Sequence, residues 1–163
     1  MKLIKFLSAV TLAAAALTGC KTPQTIDSTY AGSTFAIECM GVDLDGSQTL
    51  RAWGTGKNKA QAMETAKKNA VRAVIFDGIK DGSQECNRKP LVFEVNAKEK
   101  YEQYFNRFFA DGRDYKAYTS MTDEKRTSRL KSSNRAIENW GVVVRVDRAA
   151  LRQRLIDDGI IKP

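Results

Sequence analysis

The chain has 163 residues, with 27 Lys and Arg against 19 Asp and Glu and no histidine, a size that suits one folded domain. The lack of histidine excludes Ser-His-Asp and Cys-His catalytic constellations and every imidazole metal site. With 42% hydrophobic and 28% charged residues the composition is that of a folded domain, and no stretch is long, apolar and charge-free enough to be a standard membrane-spanning helix.

Lys2 and Lys5 precede an apolar run from Phe6 to Leu17, the basic and hydrophobic regions of a secretory signal. The run ends Leu17-Thr18-Gly19-Cys20, which resembles the bacterial lipobox. That resemblance implies a diacylglycerol thioether on Cys20, cleavage before it and acylation of the new amino terminus. Ordinary signal cleavage near Gly19, leaving a free thiol, is the alternative. Two or three acyl chains hold a protein firmly, at about 0.8 kcal/mol per buried CH₂. Lys21 stands where an Asp would favour inner-membrane retention, so the expected location is the outer membrane, with the face left open. Losing Lys2 and Lys5 with the leader leaves 25 positive against 19 negative side chains, a net +6. That charge suits anionic lipid headgroups, lipopolysaccharide phosphates or peptidoglycan carboxylates, against the favoured alternative of a plain solvated basic surface, and no nucleic acid is expected as a partner of an exported chain.

Residues 20–33 are polar, with Pro23 and Gly32, and form the expected lipidated tether; 34–163 is the expected single domain. Thr34 to Val42 has strand composition, with Phe35, Ile37, Cys39 and Val42 available to one face. Asp45-Gly46 is the strongest hairpin signal, and Gln48 to Gly54 returns as a second strand, with Leu50 and Ala52 on one face and Trp53 on the other. Asp43, Asp45 and Gly46 lack the remaining ligands of a calcium loop, and Gly54-Thr55-Gly56-Lys57 lacks the spacing of a phosphate loop. Asn58 caps a helix expected over Lys59–Asp77, whose stripe is Ala60, Met63, Ala66 or Lys67, Ala70, Val71, Val74 and Ile75. Asp77-Gly78 stops it. A loop follows, then a short strand expected over Leu91–Val95.

A second helix is expected over Ala97–Ala110, its stripe Tyr101, Tyr104, Phe105, Phe108 and Phe109 at helical spacing. A core-facing role is favoured over a partner groove. Arg113 to Arg135 starts with alternation at Tyr115, Ala117 and Thr119 and continues as a polar ribbon or loop. Its basic residues Lys125, Arg126, Arg129, Lys131 and Arg135 are the candidate contact for an anionic partner, against the alternative of a charged edge that blocks sheet aggregation. Glu138 to Val146 is a strand with Trp140, Val142, Val144 and Val146 on one face. Asp147 caps a last helix over Arg148–Asp158, with Ala149, Leu151, Leu155 and Ile156 apolar.

Beyond Cys20 the only cysteines are Cys39 and Cys86. In an oxidising compartment they are candidates for a disulfide closing about 48 residues, worth about 4 kcal/mol on the chain-entropy model. Two buried free thiols, or a reactive one, are the alternatives. Two cysteines without histidine leave a zinc shell incomplete, and no metal or other cofactor is expected. The acidic pairs Asp123-Glu124 and Asp157-Asp158 are adjacent and diverge, and Lys131-Ser132 lacks the Ser-x-x-Lys spacing, so no enzymatic activity is expected.

The element order implies an α+β domain, a mostly antiparallel sheet with two or three helices on one face. The Gly-bearing strand end Trp53 to Gly56, the Ala-rich helix with Ala60, Ala62, Ala66, Ala70 and Ala73, and the late Gly141-Val-Val-Val-Arg-Val-Asp147 leading to Leu151 resemble a family of small envelope lipoproteins. That family includes the twenty-kilodalton Helicobacter-type lipoprotein and the N-terminal domain of flagellar assembly protein T. The resemblance covers about half the mature chain and implies a non-enzymatic assembly or scaffolding role in the envelope; no site residue is carried over from it. The aromatic second helix, the basic ribbon and the cysteine pair depart from it. The expected function is a lipid-anchored interaction or assembly subunit of an outer-membrane complex. The alternative is a binder of peptidoglycan or lipopolysaccharide through the basic ribbon.

Overall fold

A computed structural model describes residues 37–121, 128–130 and 137–163. The domain is α+β. Six strands among the described residues form one sheet: β1 (Glu38–Val42), β2 (Gln48–Gly56), β3 (Asp81–Gly82), β4 (Thr119–Met121), β5 (Ser128–Leu130) and β6 (Glu138–Val146). Their spatial order is β3–β1–β2–β6–β4, with β5 also on β6. All pairings are antiparallel except β1 with β3. β2 and β6 pair along their whole lengths, from Gln48 opposite Val146 to Gly56 opposite Glu138. β4 and β5 occupy the same side of β6, with Met121 opposite Val144 and Ser128 opposite Gly141.

The β1–β2 turn follows its sequence chemistry. Gly46 takes a positive φ of 81° and its N–H donates to the Asp43 carbonyl, while the Asp43 N–H donates to the Ser47 carbonyl. Inside β1 the register shifts between Cys39 and Gly41. This bulge leaves Cys39 buried and Val42 exposed, so Val42 does not share the inward face as expected. Phe35 lies outside the described residues.

Helix α1 (Lys59–Arg72) is capped by Asn58, whose Oδ1 accepts from the Gln61 N–H at 2.9 Å, while Gln61 Oε1 accepts from the Lys57 N–H at 2.8 Å. The helix runs back along β2 at close range. A Cβ added to Gly54 would stand 2.1 Å from the Ala62 carbonyl, and one added to Gly56 would stand 2.5 Å from the Ala62 N–H. The glycines and Ala62, Ala66 and Ala70 therefore make one tight seam. This rotates the stripe from its expected position: Ala62 is buried, Ala60 is exposed and Met63 half-buried.

The last turn, Ala73–Asp77, widens to π geometry and ends at Gly78, whose N–H donates to the Ala73 carbonyl at 2.7 Å. The carbonyls of Val74 and Ile75 accept from the N–H groups of Leu91 and Val92 at 3.0 and 2.9 Å. That is why Leu91–Val95 is not the expected strand: its first two donors cap a helix end instead of joining a ladder.

The second helix is interrupted at Tyr101, giving α2 (Ala97–Lys100) and α3 (Glu102–Phe108). Its stripe is core as expected, with Phe105, Phe108 and Phe109 buried and Phe76 edge-on to Phe105 at 4.6 Å. Asp114–Tyr118 is a 3₁₀ turn, not an alternating ribbon, because Tyr115 is wholly buried beneath α1 and a turn delivers one residue inward where a strand would deliver two. Helix α4 (Arg148–Asp157) is capped by Asp147, which accepts from the Ala150 N–H at 2.9 Å. Leu151 and Leu155 are buried, whereas Ala149 is exposed, since the two leucines alone span the contact. The helices share one core with Leu50, Ala52, Val142, Val144 and Val146, the inward residues of β2 and β6.

Candidate functional site

Of the residues singled out by the sequence, Cys20 lies outside the described residues, as do Lys125, Arg126, Lys131 and Arg135. Arg129 lies in β5, opposite Trp140 in register. Cys39 and Cys86 are joined in a disulfide with Cα atoms 6.0 Å apart. The bridge ties β1 to the loop between α1 and α2. The same loop is held by Arg88, which donates to the carbonyls of Lys80 and Gly82, and by Gln48 Nε2, which donates to the Asn87 carbonyl at 3.2 Å. Arg148 reaches it from α4 and donates to the Lys89 carbonyl at 2.8 Å. Burial pushes the Arg148 guanidinium below its ordinary value.

The structure also assembles polar clusters from residues far apart in sequence. Glu64 on α1 accepts from the Tyr115 hydroxyl and, at 2.9 Å, from Lys116 Nζ. Burial acts to raise the Glu64 pKa, but the bonds from Tyr115 and Lys116 outweigh it and hold the carboxyl below its usual range. The Tyr115 hydroxyl is pushed up by burial and by its bond to Glu64. A second cluster joins α3 to α4. Tyr104 donates to Asp158 at 2.7 Å, Arg154 donates to the same carboxylate at 2.6 Å, and Arg154 also stands 3.6 Å from Asp114. Burial and the Asp158 bond raise the Tyr104 pKa. On the hairpin, Asp43 and Asp45 converge on Arg145, at 3.1 and 2.6 Å. The Arg145 hydrogen bond, with the Ser47 N–H, pulls the Asp45 carboxyl down to about 2.

Each carboxylate in these clusters faces a cation or a hydroxyl and so holds structure, and those of Asp45, Glu64 and Asp158 are held below their usual range. Among the described residues no group of three Cys, Asp or Glu is placed to hold a metal ion. An open groove of about 470 Å³ lies at the break between α2 and α3, lined by Glu99, Lys100, Tyr101, Glu102, Gln103, Tyr104 and Arg107. Lys100 bonds Glu94 at 2.8 Å and lies 4.8 Å from the Tyr101 ring centre. Two tyrosine rings beside amide and guanidinium donors suit contact with another surface through stacking and hydrogen bonds. Arg154 with Asp158, four residues apart, and Glu64 with Lys67, three apart, carried local signals; Glu64 with Tyr115, and Asp45 with Arg145, meet only through the fold.

No family model, no curated protein and no solved structure matches this chain.

Proposed function

We propose that this chain is a lipid-anchored protein of the bacterial envelope, held at the outer membrane through Cys20, and that it acts as a non-enzymatic interaction or assembly subunit. The observation that carries the reading is the sequence Leu17-Thr18-Gly19-Cys20 behind a basic-then-apolar leader. A small domain stapled by Cys39–Cys86 is consistent with an exported, oxidising environment. The carboxylates committed to structural partners favour a binding role over a catalytic one.

The test is in-cell photo-crosslinking read by mass spectrometry, with probes at Tyr101 and Tyr104 in the groove and across 113–135. One protein captured reproducibly is the expected result and names the complex. Crosslinks only to glycan or lipopolysaccharide would overturn the subunit reading in favour of a polymer binder using Lys125, Arg126, Arg129, Lys131 and Arg135. Replacing Cys20 with Ala should move the protein from the membrane to the soluble fraction.

A further inference from the structure

Four large apolar side chains stand exposed at one end of the domain. Val42 and Leu44 lie at the β1–β2 turn, and Phe93 and Val95, 71% and 93% exposed, follow the α1 end. The topology brings them to the same end. Helix α1 starts beside Gly56 and passes Gly54, so its far end, at Val74 and Ile75, lies toward the first residues of β2. Val92 donates to Ile75, and the Gln48–Asn87 bond and the Cys39–Cys86 bridge draw the intervening loop to the hairpin. Phe93 and Val95 are fixed outward. Leu91 and Val92 are buried behind them with their N–H groups bonded, and Ala97 donates to the Glu94 carbonyl. Phe93 and Val95 thus stand out from a backbone that is itself bonded, as Leu44 does from the hairpin turn.

We propose that this end of the domain seats in the bilayer interface, with Leu44, Phe93 and Val95 entering the headgroup–acyl boundary. The inference rests on lipidation of Cys20. From Cys20 to Ile37 the chain can span at most about 60 Å, which keeps the domain within reach of the membrane at a high effective concentration, so that a weak partition suffices. Two separate apolar protrusions, Leu44 on the hairpin and Phe93 with Val95 on the loop, suit a fluid interface better than a shaped protein partner. Charges at this end are largely spent in pairs: Arg145 with Asp43 and Asp45, Lys98 with Asp77, Lys100 with Glu94. Apolar burial therefore carries the contact, and it persists in high salt and on phosphatidylethanolamine alone.

The experiment uses the full mature chain purified from cells and reconstituted in phosphatidylethanolamine vesicles containing brominated lipid. Tryptophan emission is read for Phe93→Trp, with Ile137→Trp at the opposite end of β6 as comparison and the unsubstituted chain subtracted for Trp53 and Trp140. Phe93 is exposed, so tryptophan there leaves the packing alone. The expected result is a blue shift and quenching severalfold stronger at position 93 than at 137, unchanged by salt. An acylated, vesicle-bound chain whose Phe93→Trp emission is unquenched overturns the docking and leaves the anchor standing. A blue shift without quenching also overturns it, because another protein surface then covers the site. An intact mass showing no acyl chains, in protein that stays off vesicles, overturns the anchor and the docking together.

Discussion

A single methyl group at Gly54 would run into the backbone of α1. Its backbone is in an ordinary strand conformation, so the constraint is space alone: the added carbon would stand 2.1 Å from one α1 backbone atom and 2.3 Å from another. Backbone atoms cannot rotate away, so Gly54→Ala should cost about 3 kcal/mol through displacement of α1. Gly46→Ala offers the contrast. Nothing lies within 4 Å of its would-be Cβ, but φ is +81°, so the cost is conformational, about 1 kcal/mol. Denaturant midpoints of the two variants check the ranking; equal losses would mean that the α1–β2 seam yields easily. Tyr115 is the second such residue. Its hydroxyl donates to a Glu64 carboxylate held below the usual range, so Tyr115→Phe should cost about 2 kcal/mol at neutral pH. Because the Glu64 pKa is depressed in the fold, the stabilisation exists above the unfolded carboxylate value and disappears as pH falls through the folded one. The Tyr115→Phe deficit should therefore shrink in acid, which urea titrations at neutral pH and near pH 3 would read.

At the scale of elements, the disulfide acts on one part of the molecule. Cys39 and Cys86 are separated by 47 positions, and opening their bridge should cost about 4 kcal/mol. The loss should show first in the α1–α2 loop. There the Ser83 N–H donates to the Cys39 carbonyl and the Ile79 N–H to the Arg88 carbonyl. Hydrogen exchange on a Cys39→Ala/Cys86→Ala variant should find those amides unprotected while β2 and β6, paired along nine residues each, keep protection. Uniform loss across the sheet would instead make the bridge a determinant of the whole fold. The elements that carried their own signals were legible in the sequence: the Asp-Gly hairpin, α1 with its Asn cap, β6 with its valine alternation, and α4 with its Asp cap. What was not legible depended on a distant partner. Leu91 and Val92 have strand composition, but their donors go to a helix end, Leu91 to Val74 and Val92 to Ile75. The chain at Tyr115 alternates like a strand, but a carboxylate on α1 draws it into a turn. Ala60 and Ala62 are indistinguishable by composition; the glycines of β2 decide which is buried. The cysteine pairing was an open choice until the fold brought the two together, and the Glu64–Tyr115 and Asp45–Arg145 contacts were invisible for the same reason.

Across the whole molecule, the titratable groups define a pH window. No histidine is present, so no imidazole titrates between pH 5 and 8. On the acid side the carboxyls of Asp45, Glu64, Asp111 and Asp158 are all held low. Arg145 does this for Asp45 and Lys68 for Asp111; at Glu64 and Asp158 the hydrogen bonds from Tyr115, Lys116, Tyr104 and Arg154 outweigh burial. Folded pKa values below unfolded ones give stability that is complete above the unfolded values, about 4, and lost as pH falls through the folded ones. On the alkaline side the hydroxyls of Tyr104, Tyr115 and Tyr118 are raised, chiefly by burial. Groups raised in the fold give stability that is complete below the unfolded tyrosine value, about 10, and lost as pH rises through the folded ones. The melting temperature, followed at constant ionic strength, should therefore be flat from about pH 5 to 9 and fall on both sides. The acid limb comes from paired carboxylates and should steepen in low salt for the exposed pairs at Asp45 and Asp111. The alkaline limb comes from these hydroxyls, raised chiefly by burial, and should depend on salt less than the acid limb does. A maximum near pH 6.5 with a slope on either side would contradict this assignment, since carboxyls held low and hydroxyls raised both titrate outside that range.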